Sequence, residues 1–84
     1  MDKLEVQERV IKTTARVLKL EPTEVTLESD FAADLGAESI QSIELVAAFE
    51  EEFDIEMDED AALQVMTVGA AVDFIHAHIT GQKG

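Results

Sequence analysis

The run from Ser39 to Phe53 constrains this chain most, because its apolar residues fit only a helix. Leu45, Phe49 and Phe53 recur every four residues with Val46 beside them, which makes one core-facing stripe. Ile40, Ile43 and Ala47 follow at three and four residues on another face, among Glu44, Glu50 and Glu51. A helix in a small bundle needs one apolar stripe, so the second is either partly buried in the bundle or kept for a partner. The run follows a glycine-containing loop, Asp34-Leu35-Gly36-Ala37-Glu38, and Ser39 stands where helical periodicity begins. A helix start leaves its first amide donors unpaired and its positive dipole end open, which suits an attached phosphate. Serine at such a place is, by itself, more often a simple cap.

The 84 residues make one domain, 1–84, able to bury only about 60% of the surface its unfolded chain exposes. No apolar run approaches the roughly 20 residues of a membrane span, and Met1-Asp2-Lys3-Leu4-Glu5 lacks a basic region leading into an apolar one. The chain therefore reads as soluble and intracellular, a cytoplasmic protein. Without cysteine it has no disulfide and no thiolate nucleophile or ligand, so any thiol chemistry must come from an attached group.

Charge is unevenly spread. From Leu20 through Gln82 there is no Lys or Arg, while sixteen of the nineteen carboxylates lie there; Lys3, Arg9, Lys12, Arg16 and Lys19 crowd the first segment. The net charge of −13 argues against nucleic acid and against anionic membrane surfaces, whose affinity rests on cationic contacts. It favours partners with basic patches, and acidity also keeps a small protein soluble.

Residues Asp2 to Leu18 read as the first helix, with Val6, Val10, Ala15, Val17 and Leu18 inward and Thr13 and Thr14 lowering its propensity. Glu5 with Arg9 and Glu8 with Lys12 stand one turn apart in the favourable order. Pro22 stops the helix, and Leu20 to Glu38 reads as a long loop with side-chain turns at Thr23, Thr26, Ser29 and Asp30 and a short helical turn near Thr23 to Leu27. Connections of this length in small domains are functional or disordered. Val25, Leu27, Phe31 and Leu35 could anchor this one, so an ordered crossover is expected. After helix two, which ends near Glu52, Ile55 and Met57 read as loop residues tucked inward. Asp58 caps a short helix from Glu59 to Val65, whose Leu63, Val65 and Met66 form an apolar outer edge, open to a partner. Thr67 caps a last helix from Val68 to Ile79 with Val68, Ala71, Val72, Ile75 and Ile79 inward; Gly81 ends it, and Gln82 to Gly84 should fray. The fold class is all-α: a small four-helix bundle with a long loop after helix 1 and a short third helix.

Two chemistries fail on spacing. Asp54, Glu56 and Asp58 alternate like the start of a calcium loop, but Glu59 stands where glycine is required and Val65 where a bidentate glutamate is required. His76 and His78, two apart, point in different directions and make no ligand pair of one-turn spacing, so they belong to the surface. No metal site and no serine–histidine–carboxylate catalytic set is expected.

Leu35-Gly36-Ala37-Glu38-Ser39-Ile40, then Glu44-Leu45-Val46, Glu50-Glu51-Glu52-Phe53 and Met66-Thr67-Val68-Gly69-Ala70-Ala71-Val72-Asp73-Phe74-Ile75, resemble the acyl carrier protein family across nearly the whole chain. The resemblance implies a four-helix carrier with no catalytic residues. Its cofactor would be 4'-phosphopantetheine, taken from coenzyme A and attached at Ser39, with a terminal thiol holding acyl cargo as a thioester. Glu38 stands where the family usually has Asp and Ile40 where it usually has Leu, departures that bear on which enzymes dock rather than on the modification. The implied partners are a phosphopantetheinyl transferase and acyl-transfer and chain-elongation enzymes with basic patches, met by a monomer. They would dock on Glu38, Ile40, Ile43, Glu44, Ala47, Glu51 and Val65. Glu38 and the glutamate-rich second helix look closer to fatty-acid and polyketide carriers than to peptidyl ones. The alternative is a carrier-like acidic interaction subunit that does not use the arm.

Overall fold

Asp2 starts the first helix by turning its side chain back: its Oδ1 accepts the Glu5 N–H at 2.9 Å, satisfying one of the orphan donors of the first turn. In a computed structural model, which describes residues 1–81, the helices are α1 (Lys3–Leu18), α2 (Ser39–Phe53), α3 (Glu59–Leu63) and α4 (Val68–Thr80), and a 3₁₀ turn spans Pro22–Glu24. The expected fraying of Gln82 to Gly84 lies outside the described residues. Lys19 and Asp54, both left-handed at φ 61° and 56°, end α1 and α2. Thr67 Oγ1 accepts the Ala70 N–H at 3.1 Å and starts α4. Among the described residues the helices carry all the regular structure, and the nearest thing to a strand is an isolated bridge between Asp30 and Thr67.

Helix α1 packs against both α2 and α4, and α3 leans on α2. Val6 and Val10 from α1, Leu45, Phe49 and Phe53 from α2, and Val68, Ala71, Val72 and Ile75 from α4 form the buried centre. Each set recurs at three or four residues, so the apolar spacing that makes the helices also makes the core. Val17 and Leu18 are only half-buried, while Thr13 and Thr14 are buried beside them. Among the described residues the Thr14 hydroxyl has no hydrogen-bond partner.

Several expectations need correction. The short helix ends at Leu63 rather than Val65, because the Gln64 and Val65 amides turn back to the Ala61 and Ala62 carbonyls in a tighter turn. The turn near Thr23 to Leu27 is instead Pro22–Glu24, pre-set by the fixed φ of Pro22. The cations of α1 reach across helices: Arg9 Nε lies 3.4 Å from Glu52 and its guanidinium 5.9 Å from the centre of the Phe53 ring, while Lys3 Nζ lies 2.6 Å from Asp73. Among the described residues neither of the one-turn pairs expected within α1 forms; Arg9 instead meets the Glu52 carboxylate and covers the Phe53 ring. His76 and His78, expected at the surface, are half-buried there.

Candidate functional site at the start of the second helix

The long loop is ordered by its own backbone and by α4. Phe31 N–H donates to the Met66 carbonyl at 2.9 Å, Val68 N–H to the Ser29 carbonyl at 3.0 Å, and Gly69 N–H to the Leu27 carbonyl at 2.8 Å. That last approach is so close that a Cβ on Gly69 would stand 3.0 Å from the Leu27 carbonyl oxygen. Val25 and Phe31 are buried and act as the anchors expected of them; Leu35 is half-buried, and Leu27 is 38% exposed.

Asp30 organises the segment that follows. Its Oδ1 accepts the Ala32 and Ala33 amides at 3.0 and 2.9 Å, and its own N–H donates to Asp34 Oδ2 at 2.7 Å. Its carbonyl accepts the Asp34 and Leu35 amides at 2.9 and 3.0 Å. Gly36 then takes φ +75°, a conformation that costs an L side chain about 1–2 kcal/mol, and nothing crowds it. The reversal brings Ala37 N–H to the Phe31 carbonyl at 2.8 Å and buries Ala37. Two residues later the chain enters α2. Asp30 was legible as a turn former; the buried Ala37 was not, because a single alanine carries no periodic signal.

Glu38 is the residue that caps α2, in extended conformation at φ −87° and ψ 170°, and its N–H donates to Gln41 Oε1 at 2.9 Å. Ser39 is therefore the first helical residue and not the cap. It is exposed, and its hydroxyl makes no hydrogen bond among the described residues. A free hydroxyl on a held helix start is what a covalent tether needs: reachable from solvent, fixed behind by Ala37 and fixed ahead by a helix of 15 residues. The residues present thus fit a phosphate-linked arm.

Along α2 the two stripes separate. Leu45, Phe49 and Phe53 are buried, whereas Ile40 and Ile43 are 64% and 48% exposed, with Glu44, Ala47 and Glu51 exposed beside them. Glu38 is exposed as well; Val65, in the turn after α3, is half-buried, and its neighbour Met66 is 64% exposed. Glu50 has a different task, since its carboxylate accepts the Met57 N–H at 2.9 Å and its carbonyl accepts the Ile55 N–H at 3.1 Å. It straps the α2–α3 connection to α2 and helps hold Met57 in the core. Among the described residues no cluster of three or more His, Asp or Glu could hold a metal ion, and no helix is long and apolar enough to cross a membrane.

A family model described as a phosphopantetheine attachment site matches residues 8–75. Fold and site together define a class: an all-helical carrier domain with covalently attached 4'-phosphopantetheine. Two curated relatives narrow it. An acyl carrier protein from Phenylobacterium zucineum is 49% identical over 75 residues, covering 89% of this chain and 95% of the relative. One from Caulobacter vibrioides is 51% identical over 71 residues, covering 84% of this chain and 91% of the relative. This chain belongs to the acyl carrier protein family. It is a phosphopantetheine-bearing acyl carrier, which disfavours the reading as an arm-less interaction subunit. A carrier's work implies contact with biosynthetic enzymes.

Proposed function

We propose that Ser39 is the anchor of the arm, and that the protein carries acyl intermediates between enzymes of fatty-acid, polyketide or related lipid synthesis without doing chemistry of its own. The observation that carries this reading is the exposed, unbonded Ser39 hydroxyl on the first residue of α2, behind the Asp30–Ala37 turn. When attached, the group supplies a terminal thiol that holds the cargo as a thioester. In loading, the Ser39 oxygen gives up its proton and takes the phosphopantetheine phosphate of coenzyme A, with adenosine 3',5'-bisphosphate leaving. The α2 amides at the helix start then lie beside a phosphodiester, where the dipole is favourable. The chain keeps the tether root rigid and solvent-facing, so that cargo visits successive active sites at high local concentration.

The docking face runs over Glu38, Ile40, Ile43, Glu44, Ala47, Glu51 and Val65. Its exposed isoleucines would supply apolar contact, and its carboxylates would steer basic enzymes, including the phosphopantetheinyl transferase, with encounter rates raised about 10–10³-fold at low salt. The protein works in this reading as a cytoplasmic monomer. Intact mass after incubation with coenzyme A and a phosphopantetheinyl transferase tests the anchor. Wild type should gain one prosthetic group and Ser39→Ala none; addition to the Ala variant, or no addition to wild type with several transferases, refutes it.

A further inference from the structure

A helix start leaves its first amides without partners inside the helix, and α4 turns its first two on the long loop. Val68 N–H donates to the Ser29 carbonyl at 3.0 Å and Gly69 N–H to the Leu27 carbonyl at 2.8 Å, while Phe31 N–H donates back to the Met66 carbonyl at 2.9 Å. Between these bonds Asp30 and Thr67 form the antiparallel bridge. Residues 27–31 therefore lie against 66–69 as a short antiparallel clasp, and the loop that leads to Ser39 hangs from α4.

Gly69 is what lets the clasp close. It is the second residue of α4, a place where glycine lowers helix propensity relative to alanine, and it lacks the positive φ that would call for glycine. The reason for it lies outside the helix. A Cβ there would stand 3.0 Å from the Leu27 carbonyl oxygen and 3.6 Å from the Leu27 Cβ, so the loop would have to give by a few tenths of an ångström. The segment beyond Leu27 has little room to absorb such a shift. Ser29 and Phe31 are buried, the Ser29 hydroxyl accepts the Thr26 N–H at 3.1 Å, and the Phe31 carbonyl accepts the Ala37 N–H at 2.8 Å. Ala37, itself buried, is two residues from Ser39. A displacement at Leu27 thus passes along packed backbone to the start of α2.

In loading, the Ser39 oxygen forms the new bond to phosphorus as the bond to adenosine 3',5'-bisphosphate breaks, so the carrier contributes the place where that oxygen stands. Given that Ser39 anchors the arm, on which this rests, we infer that Gly69 is a positioning residue for the loading reaction: its missing Cβ lets α4 draw residues 27–31 close, and these set the place of the Ser39 hydroxyl through Phe31 and Ala37. Gly69 lies on a different helix from the α2 docking face, so its effect falls on the chemical step and leaves docking alone.

Single-turnover loading of the full-length protein, with excess phosphopantetheinyl transferase and saturating coenzyme A, separates positioning from stability. Two variants are compared with wild type: Gly69→Ala, which adds the Cβ, and Ala77→Gly, which weakens α4 at an exposed position about 12 Å further along the helix. Ala77→Gly should melt about 4–8 °C below wild type and load at the wild-type rate. Gly69→Ala should melt no lower than Ala77→Gly, because the gain in helix propensity offsets the tight contact. Its limiting rate should nonetheless fall about three- to fivefold, since a misplacement of about 1 Å costs on the order of 10²-fold, and the transferase concentration that gives half the limiting rate should not change. The Ala37 and Ser39 amide resonances should move in two-dimensional NMR of Gly69→Ala and stay in place in Ala77→Gly. Loading of Gly69→Ala at the wild-type limiting rate overturns the inference, whatever its melting temperature. So does an equal loss of rate in both variants, which would make the effect one of stability. A wild-type protein that takes no arm, or a Ser39→Ala variant that takes one, overturns the assignment of Ser39 itself and this inference with it.

Discussion

Replacing Asp30 by Ala removes the acceptor for the Ala32 and Ala33 amides, bonded at 3.0 and 2.9 Å, while leaving the backbone bonds to the Asp30 carbonyl possible. A net hydrogen bond contributes about 0.5–1.5 kcal/mol, and both amides are near solvent, so the pair together should be worth about 1–2 kcal/mol. That lowers the folded-to-unfolded ratio by about 5- to 30-fold and the melting temperature by roughly 4–16 °C for a domain of this size. The substitution also removes one carboxylate from a chain of net charge −13, which acts in the opposite direction. Asp30→Asn separates the two effects, because it loses the charge and keeps a carbonyl acceptor for the same amides. Asn should therefore melt clearly above Ala, and urea denaturation of the three proteins should show the change in midpoint with an unchanged slope. Amide exchange at Ala32, Ala33 and Ala37 should accelerate in the Ala variant before exchange in the centre of α1 does. If Ala and Asn melt together at or above wild type, the turn is not held by this carboxylate and the account of how Ser39 is positioned is wrong.

Further outcomes follow from other parts of the molecule. Thr14→Val replaces a buried, unpartnered hydroxyl with a methyl group of like shape and should stabilise the protein by about 1 kcal/mol in thermal melts; a loss of similar size would show that the hydroxyl is bonded. With nineteen carboxylates against six Lys and Arg, melting temperature should rise with added sodium chloride or millimolar magnesium, and indifference to both would remove self-repulsion as a destabilising force. Glu44→Lys and Glu51→Lys should lower kcat/KM for loading by roughly tenfold at low salt with kcat little changed, the difference shrinking as salt is added; a deficit that persists undiminished at high salt would contradict electrostatic steering.

Much of this was readable in the chain itself, for physical reasons that differ by element. Helix α2 was legible almost to the residue, because Leu45, Phe49 and Phe53 mark one face and the left-handed Asp54 falls directly after the last of them. Helix α4 was framed by a threonine cap and a terminal glycine. Helix α3 was placed but drawn too long: a segment of 5 residues with no buried side chain has too little periodicity to fix its end. The inward set of α1 was only half right, since Thr13 and Thr14 are buried for their position and not for their hydropathy. Interhelical pairs such as Arg9 with Glu52 depend on how helices meet, which local spacing does not encode. At the site, Ser39 and its acidic surroundings stood out, but the work of Asp30, Ala37 and Gly36 in holding it needed the backbone path.

The most direct test of the central claim is the mass of the protein taken from its own cell, with tandem fragmentation of the peptide that spans the start of α2. One phosphopantetheine on Ser39, in free-thiol or acyl form, is the expected result. A protein that is bare there, or modified at Ser42 or another hydroxyl instead, would contradict it.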